Sequence, residues 1–186
     1  MGKDKSTSEE FRSPVEWLAR YFELGTKKTG RFTTAEMEER QAALFGYAYA
    51  VGNGIDSLVV RPGEGPLHDF DAEFRWRTNA TDHRLPVSLK RLPPAALNPN
   101  ETLEGIVKKA ALKSTGGDLL LAIHVDRAGH LTTLNIPRKF QIRELCLWGW
   151  SQPNHAELFV NSYVLGNKVS RQWRVPFPPP GFRSKD

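Results

Sequence analysis

The sequence predicts an α/β domain with a mixed central sheet flanked by helices. Three observations carry this expectation. Capped stretches with apolar residues at helical spacing alternate with short apolar, β-branched runs. The stretch Leu67 to Leu92 alternates with period two, as a hairpin with one buried face does. Leu119 to Val125 is a near-continuous apolar run, which marks a strand buried on both faces. At 186 residues the chain is long enough to bury a core as one domain. Residues 13–177 are expected to form that unit, with a polar tail at 1–12 and a proline-rich, charged tail at 178–186.

Each element has a local reason. Ser13-Pro14-Val15-Glu16 is a helix start, with serine as cap, proline first and glutamate returning the capping bond. Val15, Leu18, Ala19 and Phe22 then form an apolar face, and Gly25 is the expected stop. Thr33 and Glu36 repeat the capping box for a second helix, with Met37, Gln41, Leu44, Phe45 and Ala48 on one face. Gly52-Asn53-Gly54 breaks it near Ala50. Ile55 to Val60 reads as a strand. Phe70, Ala72, Phe74 and Trp76 alternate with Asp69, Asp71, Glu73 and Arg75 in the first hairpin strand. Asn79, Thr81 and Asp82 supply the turn. In the return strand Val87 and Leu89 take the apolar face, and Ser88 and Lys90 the polar one. Asn98-Pro99 opens a third helix whose stripe is Leu103, Ile106, Val107, Ala110 and Ala111. Strands are expected at 119–125 and 130–136. Past Pro137 the stretch 155–165 fits helix or strand, and 169–177 alternates as a strand.

Composition narrows the function classes. The formal charge is +5, from 26 Lys+Arg against 21 Asp+Glu, which suits a phosphate-bearing partner such as nucleic acid and equally a mildly basic solvated surface. A single cysteine, Cys146, excludes an internal disulfide and a multi-cysteine zinc site. Its apolar neighbours predict a buried, inert thiol. No apolar run approaches the ~18 residues of a membrane span. The opening MGKDKSTSEE lacks the apolar core of a signal peptide, so a cytoplasmic protein without membrane attachment is expected. There is no P-loop, dinucleotide fingerprint or nucleophile elbow. His124 and His130 stand at no metal-ligand spacing and are expected to be structural. Trp148, Trp150 and Trp173 are expected to pack the core, although beside Arg143, Arg171 and Arg174 they also suit base stacking.

The charged face of the hairpin is the candidate site. Asp69, Asp71 and Glu73 project from one strand, and Ser88 and Lys90 from its partner. An aligned register would bring carboxylates and an ammonium within side-chain reach. Carboxylates suit Mg²⁺, which prefers hard oxygen ligands. Such an ion activates water and offsets charge on a phosphodiester. An ordinary hairpin also turns a polar face to solvent.

These residues resemble a known pattern. An acidic residue on a strand, followed after about fifteen to twenty residues by (Glu, Asp, Gln or Ser)-x-Lys on its neighbour, is similar to the PD-(D/E)xK nuclease superfamily. Here it reads His68-Asp69-Phe70-Asp71-Ala72-Glu73, then Pro86-Val87-Ser88-Leu89-Lys90. The flanking order of helices, acidic hairpin, helix and further strands also looks like that fold, over roughly residues 34–136. The resemblance implies a restriction-endonuclease-like core and Mg²⁺-dependent hydrolysis of nucleic acid. It implies Asp71 or Asp69 as the first metal ligand, Ser88 at the second acidic position, where Glu73 would stand in from the first strand, and Lys90 as the motif lysine. A glutamate from the preceding helix, Glu39 or Glu38, would join the metal site, because Glu36 is used in capping. Two positions depart from the pattern: His68 replaces its proline, and Ser88 its second carboxylate. The alternative is a non-catalytic module, regulatory or immunity-like, that binds a protein partner.

Overall fold

The computed structural model describes residues 10–27, 32–63, 70–113, 118–126, 142–164, 169–180 and 182. They form a mixed α/β fold with one seven-stranded sheet and, among the described residues, three helices. The elements are α1 (Pro14–Lys27), α2 (Thr34–Asn53), β1 (Val59–Pro62), β2 (Ala72–Thr78), β3 (Thr81–Leu92), α3 (Leu103–Lys113), β4 (Leu120–Val125), β5 (Glu144–Trp150), β6 (Glu157–Val164) and β7 (Val169–Pro176). Strand order in the sheet follows sequence order. β1–β2–β3 is an antiparallel meander, and α3 carries the chain over to β4, which runs parallel to β3. β5 is parallel to β4, and β6 and β7 close the sheet antiparallel.

Both capping boxes form. The Glu16 carboxylate accepts the Ser13 N–H at 2.8 Å, and the Glu36 carboxylate accepts that of Thr33 at 2.7 Å. α1 buries a different face from the expected one. Trp17, Leu18 and Tyr21 are buried, whereas Val15 and Phe22 are largely exposed. The indole decides this, because Trp17 Nε1 donates to the Val60 carbonyl at 2.9 Å and so turns its side of the helix onto the sheet. Nor does Gly25 stop α1, which continues to Lys27.

α2 is buried all round from Ala42 to Tyr49 and ends at Gly54, in the left-handed conformation at φ 63°. β1 starts four residues after the expected Ile55, because Ile55 N–H bonds back to the Ala50 carbonyl and prolongs the helix end. α3 starts at Leu103, later than the expected Asn98–Pro99. The Thr102 hydroxyl accepts the Gly105 N–H at 3.0 Å as its cap, while the Asn98 side-chain oxygen accepts the Glu101 N–H at 3.3 Å in the turn before it. The stretch 155–165 resolves as β6. The strand expected at 130–136 lies outside the described residues.

The sheet separates two cores. α1 and α2 pack with Phe74, Val87, Leu89, Ala122, Cys146 and Trp148 on one side. On the other, Ile106 and Val107 of α3 meet Leu121, Ile123, Leu145 and Leu147. β4 is buried at every position, as its unbroken apolar run requires. The described residues of the expected tails touch the fold. Arg12 exchanges two backbone hydrogen bonds with Val60, and Phe182 lies 4.7 Å from the Phe22 ring. No described helix is long and apolar enough to cross a membrane.

Candidate functional site at the β2–β3 hairpin

A two-residue turn at Asn79-Ala80 sets the hairpin register. Asn79 sits at φ 53°, a conformation asparagine tolerates better than most residues. Thr81 and Asp82, expected in the turn, begin β3 instead. The resulting register pairs Ala72 with Val87 and Glu73 with Pro86. Asp71 therefore arrives beside Ser88, its N–H bonded to the Val87 carbonyl at 2.9 Å.

Three donors converge on one oxygen of Asp71. Ser88 Oγ donates to Oδ2 at 3.1 Å, the Leu89 N–H at 2.6 Å and Lys90 Nζ at 2.9 Å. Ser88 is buried, while the Lys90 and Asp71 side chains remain partly open to solvent. They sit at the carboxyl end of β3, where it runs parallel to β4 and where open α/β sheets commonly hold ligands. A cavity of about 500 Å³ opens there. Asp71, Lys90, Leu89 and Arg91 form its sheet wall, and Phe32, Met37, Glu38 and Gln41 its helical wall.

The remaining candidates are placed elsewhere. Glu73 is fully buried, and its carboxylate is taken by three guanidiniums: Arg61 at 2.6 Å, Arg75 at 2.7 Å and Arg84 at 2.5 Å. Burial pushes the Glu73 carboxyl up. The hydrogen bond from Arg75 and the charges of Arg75, Arg84 and Arg61 together outweigh it and hold the carboxyl below its ordinary value of 4.5. Glu73 thus does not stand beside Asp71 as a free ligand; cross-strand neighbours claim it first. Glu39 turns the other way and accepts the Tyr21 hydroxyl, in keeping with its place on the side of α2 that faces α1. Glu38, one residue back, is the helix glutamate at the cavity. Glu36 is spent on its cap. Asp69 lies outside the described residues.

The donor set can be weighed against Mg²⁺. Among the described residues no group of three or more His, Cys, Asp and Glu side chains is arranged to hold a metal. The cavity presents two carboxylates, Asp71 and Glu38. That number suits an ion that keeps most of its waters and takes further oxygens from a substrate phosphate.

Two other buried polar groups, Glu144 and His124, are absent from the lining of this cavity. Glu144 accepts hydrogen bonds from Tyr49 at 3.1 Å and from Ser162 and Cys146, and burial raises the Cys146 thiol well above its usual range. The His124 ring lies 4.4 Å from that of Trp148, tilted by 36°, and burial lowers its imidazole pKa against the pull of Asp126. Of the tryptophans considered for base stacking, Trp148 is buried and Trp173 donates to the Ala48 carbonyl at 2.9 Å. Trp150 stacks on His155 at 4.6 Å.

Sequence reasoning missed the arginine cage around Glu73. A signal existed: a two-residue turn at Asn79-Ala80 sets Arg75 opposite Arg84, a like-charged pair that needs a carboxylate between its members. Comparison with protein-family models, curated proteins and solved structures gives no match to this chain.

Proposed function

We propose that this chain is a divergent nuclease-like domain with a restriction-endonuclease-like core, engaging nucleic-acid phosphodiesters at Asp71, Ser88 and Lys90. The observation that carries the reading is the convergence of Ser88 and Lys90 on Asp71, in the spacing of the PD-(D/E)xK pattern and at the mouth of a cavity. The order of helix, acidic hairpin, crossover helix and parallel strand supports it.

In this reading Lys90 offers an ammonium to a non-bridging phosphate oxygen, exchanging part of its pairing with Asp71 for the substrate's charge. Ser88 and the Leu89 N–H fix the Asp71 carboxylate at the cavity wall, so that it is positioned without cost at the moment of reaction. Asp71 and Glu38 would hold Mg²⁺, which when bound supplies Lewis-acid polarisation of the phosphate and a more acidic water. The test is Mg²⁺-dependent cleavage of DNA and RNA by wild type and by Lys90→Ala. A loss on the order of 100-fold in the variant is expected for a group acting on transition-state charge. Equal cleavage by both proteins, or none by either, would sink the enzymatic reading.

One observation favours a second reading, a non-catalytic module that binds a protein partner. Ser88 brings no charge to the second acidic position, and Oδ2 of Asp71 is already saturated by its three donors. Recovery of a stoichiometric protein partner, with binding unaffected by Asp71→Ala and no heat of Mg²⁺ binding, would favour this reading.

A further inference from the structure

The hairpin face that carries Asp71 and Lys90 continues as a row of arginines. Alternate residues of a strand share a face, so Arg75 and Arg77 follow Asp71 and Glu73 on β2, and Arg84 precedes Ser88 and Lys90 on β3. Arg61 joins from β1, opposite Glu73. α3 covers the sheet from β3 to β5 and leaves this end to the arginines. Among the described residues Phe11 lies against them, with Arg75 and Arg61 at 4.2 and 5.0 Å from its ring.

Neutralising Glu73 does not account for the row. A single bidentate guanidinium satisfies a carboxylate, yet Glu73 has three, and Arg75 stands directly opposite Arg84. Like charges at opposed positions destabilise a sheet. Among the described residues the Arg77 guanidinium pairs with the exposed Asp82 alone, at 3.5 Å. Four guanidiniums thus face two carboxylates, and the Arg75, Arg84 and Arg77 side chains remain 46%, 55% and 66% exposed. Arg84 and Lys90, with Pro86 and Ser88 between them on the same face, stand about 20 Å apart along β3 at ~3.3 Å per residue. That length matches roughly six nucleotides of a duplex strand at ~3.4 Å each.

We propose that this arginine row is the track on which a nucleic-acid phosphodiester backbone lies as it enters the Asp71–Lys90 cavity. The proposal rests on the nuclease-like reading and adds where and how the polymer is held. Planar guanidiniums in excess of their carboxylates, exposed on the hairpin face that also carries Lys90, suit the bidentate recognition of phosphates along a polyphosphate chain.

The experiment is fluorescence anisotropy with a labelled 20-nucleotide single strand and the same sequence as a duplex, across a salt series. The proteins are wild type, Arg77→Gln, Arg84→Gln, Asp82→Asn, Lys90→Ala and, as a remote control on α3, Lys108→Gln. Arg77→Gln and Arg84→Gln should each weaken binding roughly three- to tenfold at low salt and lower the salt slope by about one. Asp82→Asn should tighten binding, and Lys108→Gln should leave it unchanged. Arg77 and Asp82 lie outside the Glu73 cage, so their variants report on binding even if Arg84→Gln perturbs the fold. Wild-type affinity in both Arg77→Gln and Asp82→Asn would overturn the proposal. So would an equal loss in Lys108→Gln, or displacement of the probe by polyglutamate as readily as by unlabelled oligonucleotide. Failure of the track leaves wild-type cleavage intact with binding indifferent to Arg77. Failure of the catalytic reading leaves arginine-dependent binding without cleavage in any protein.

Discussion

Glu73 illustrates how much one carboxylate is worth when its neighbours depend on it. Its oxygens are buried among three guanidiniums, so removing them leaves Arg61, Arg75 and Arg84 to repel one another. Breaking such a cluster from one side typically costs several kcal/mol; partial exposure of the arginines reduces this, and about 2–3 kcal/mol is expected for Glu73→Ala. Chemical denaturation measures it, and a change under about 0.5 kcal/mol would contradict the account. The pH dependence has a definite sign. The folded carboxyl titrates below its ordinary value of 4.5, so its contribution is fully present above that pH and is lost as pH falls through the folded value. Glu73→Gln should therefore flatten the acid limb of a stability–pH curve below about pH 4.5. At this scale Asp71, Ser88 and Lys90 were legible in the sequence, because period-two alternation sets the face and residue type sets the chemistry. The fate of Glu73 was not, because it depends on which arginines the register brings opposite. Glu39 and Glu38 differ by one helical step, and only the packing of α1 chooses between them.

The elements were legible where composition was extreme and displaced where a single side chain set the register. β4 follows directly from its apolar run, and α2 from its capping box. α1 has the expected start but a rotated face, because Trp17 finds the Val60 carbonyl. α3 starts late, with Thr102 as its cap, because the Asn98 oxygen is engaged in the turn that precedes it. The contact that holds α2 against β7 is similarly specific. A Cβ at Gly52 would lie 2.0 to 2.3 Å from the Trp173 indole, which is itself anchored to Ala48. Alanine is the better helix former by about 1 kcal/mol. Overpacking costs typically 1–3 kcal/mol, and rigid anchoring of the indole favours the upper end. Gly52→Ala should therefore lower the melting temperature despite its propensity gain, and an unchanged or raised one would show that Trp173 is free to move aside.

For the whole molecule, the sheet order is what gives the hairpin its setting. A meander feeding a right-sized crossover helix makes β3 an interior strand whose carboxyl end opens at the cavity, with α2 supplying the opposite wall. The mixed central sheet was predicted from alternation of elements; its seven-strand extent was not, since 155–165 carried no clear period. The net charge of +5 gave no location for a basic surface, and the fold collects four arginines along one end of the sheet. In this setting Asp71 is proposed to serve chemistry on phosphodiesters. The most direct test of that role is the single-turnover cleavage rate of an end-labelled oligonucleotide, with and without Mg²⁺, by wild type and Asp71→Asn. Metal-dependent cleavage by wild type and its loss in the variant are expected, with both proteins equally folded by circular dichroism; cleavage by Asp71→Asn at the wild-type rate would overturn the proposed role.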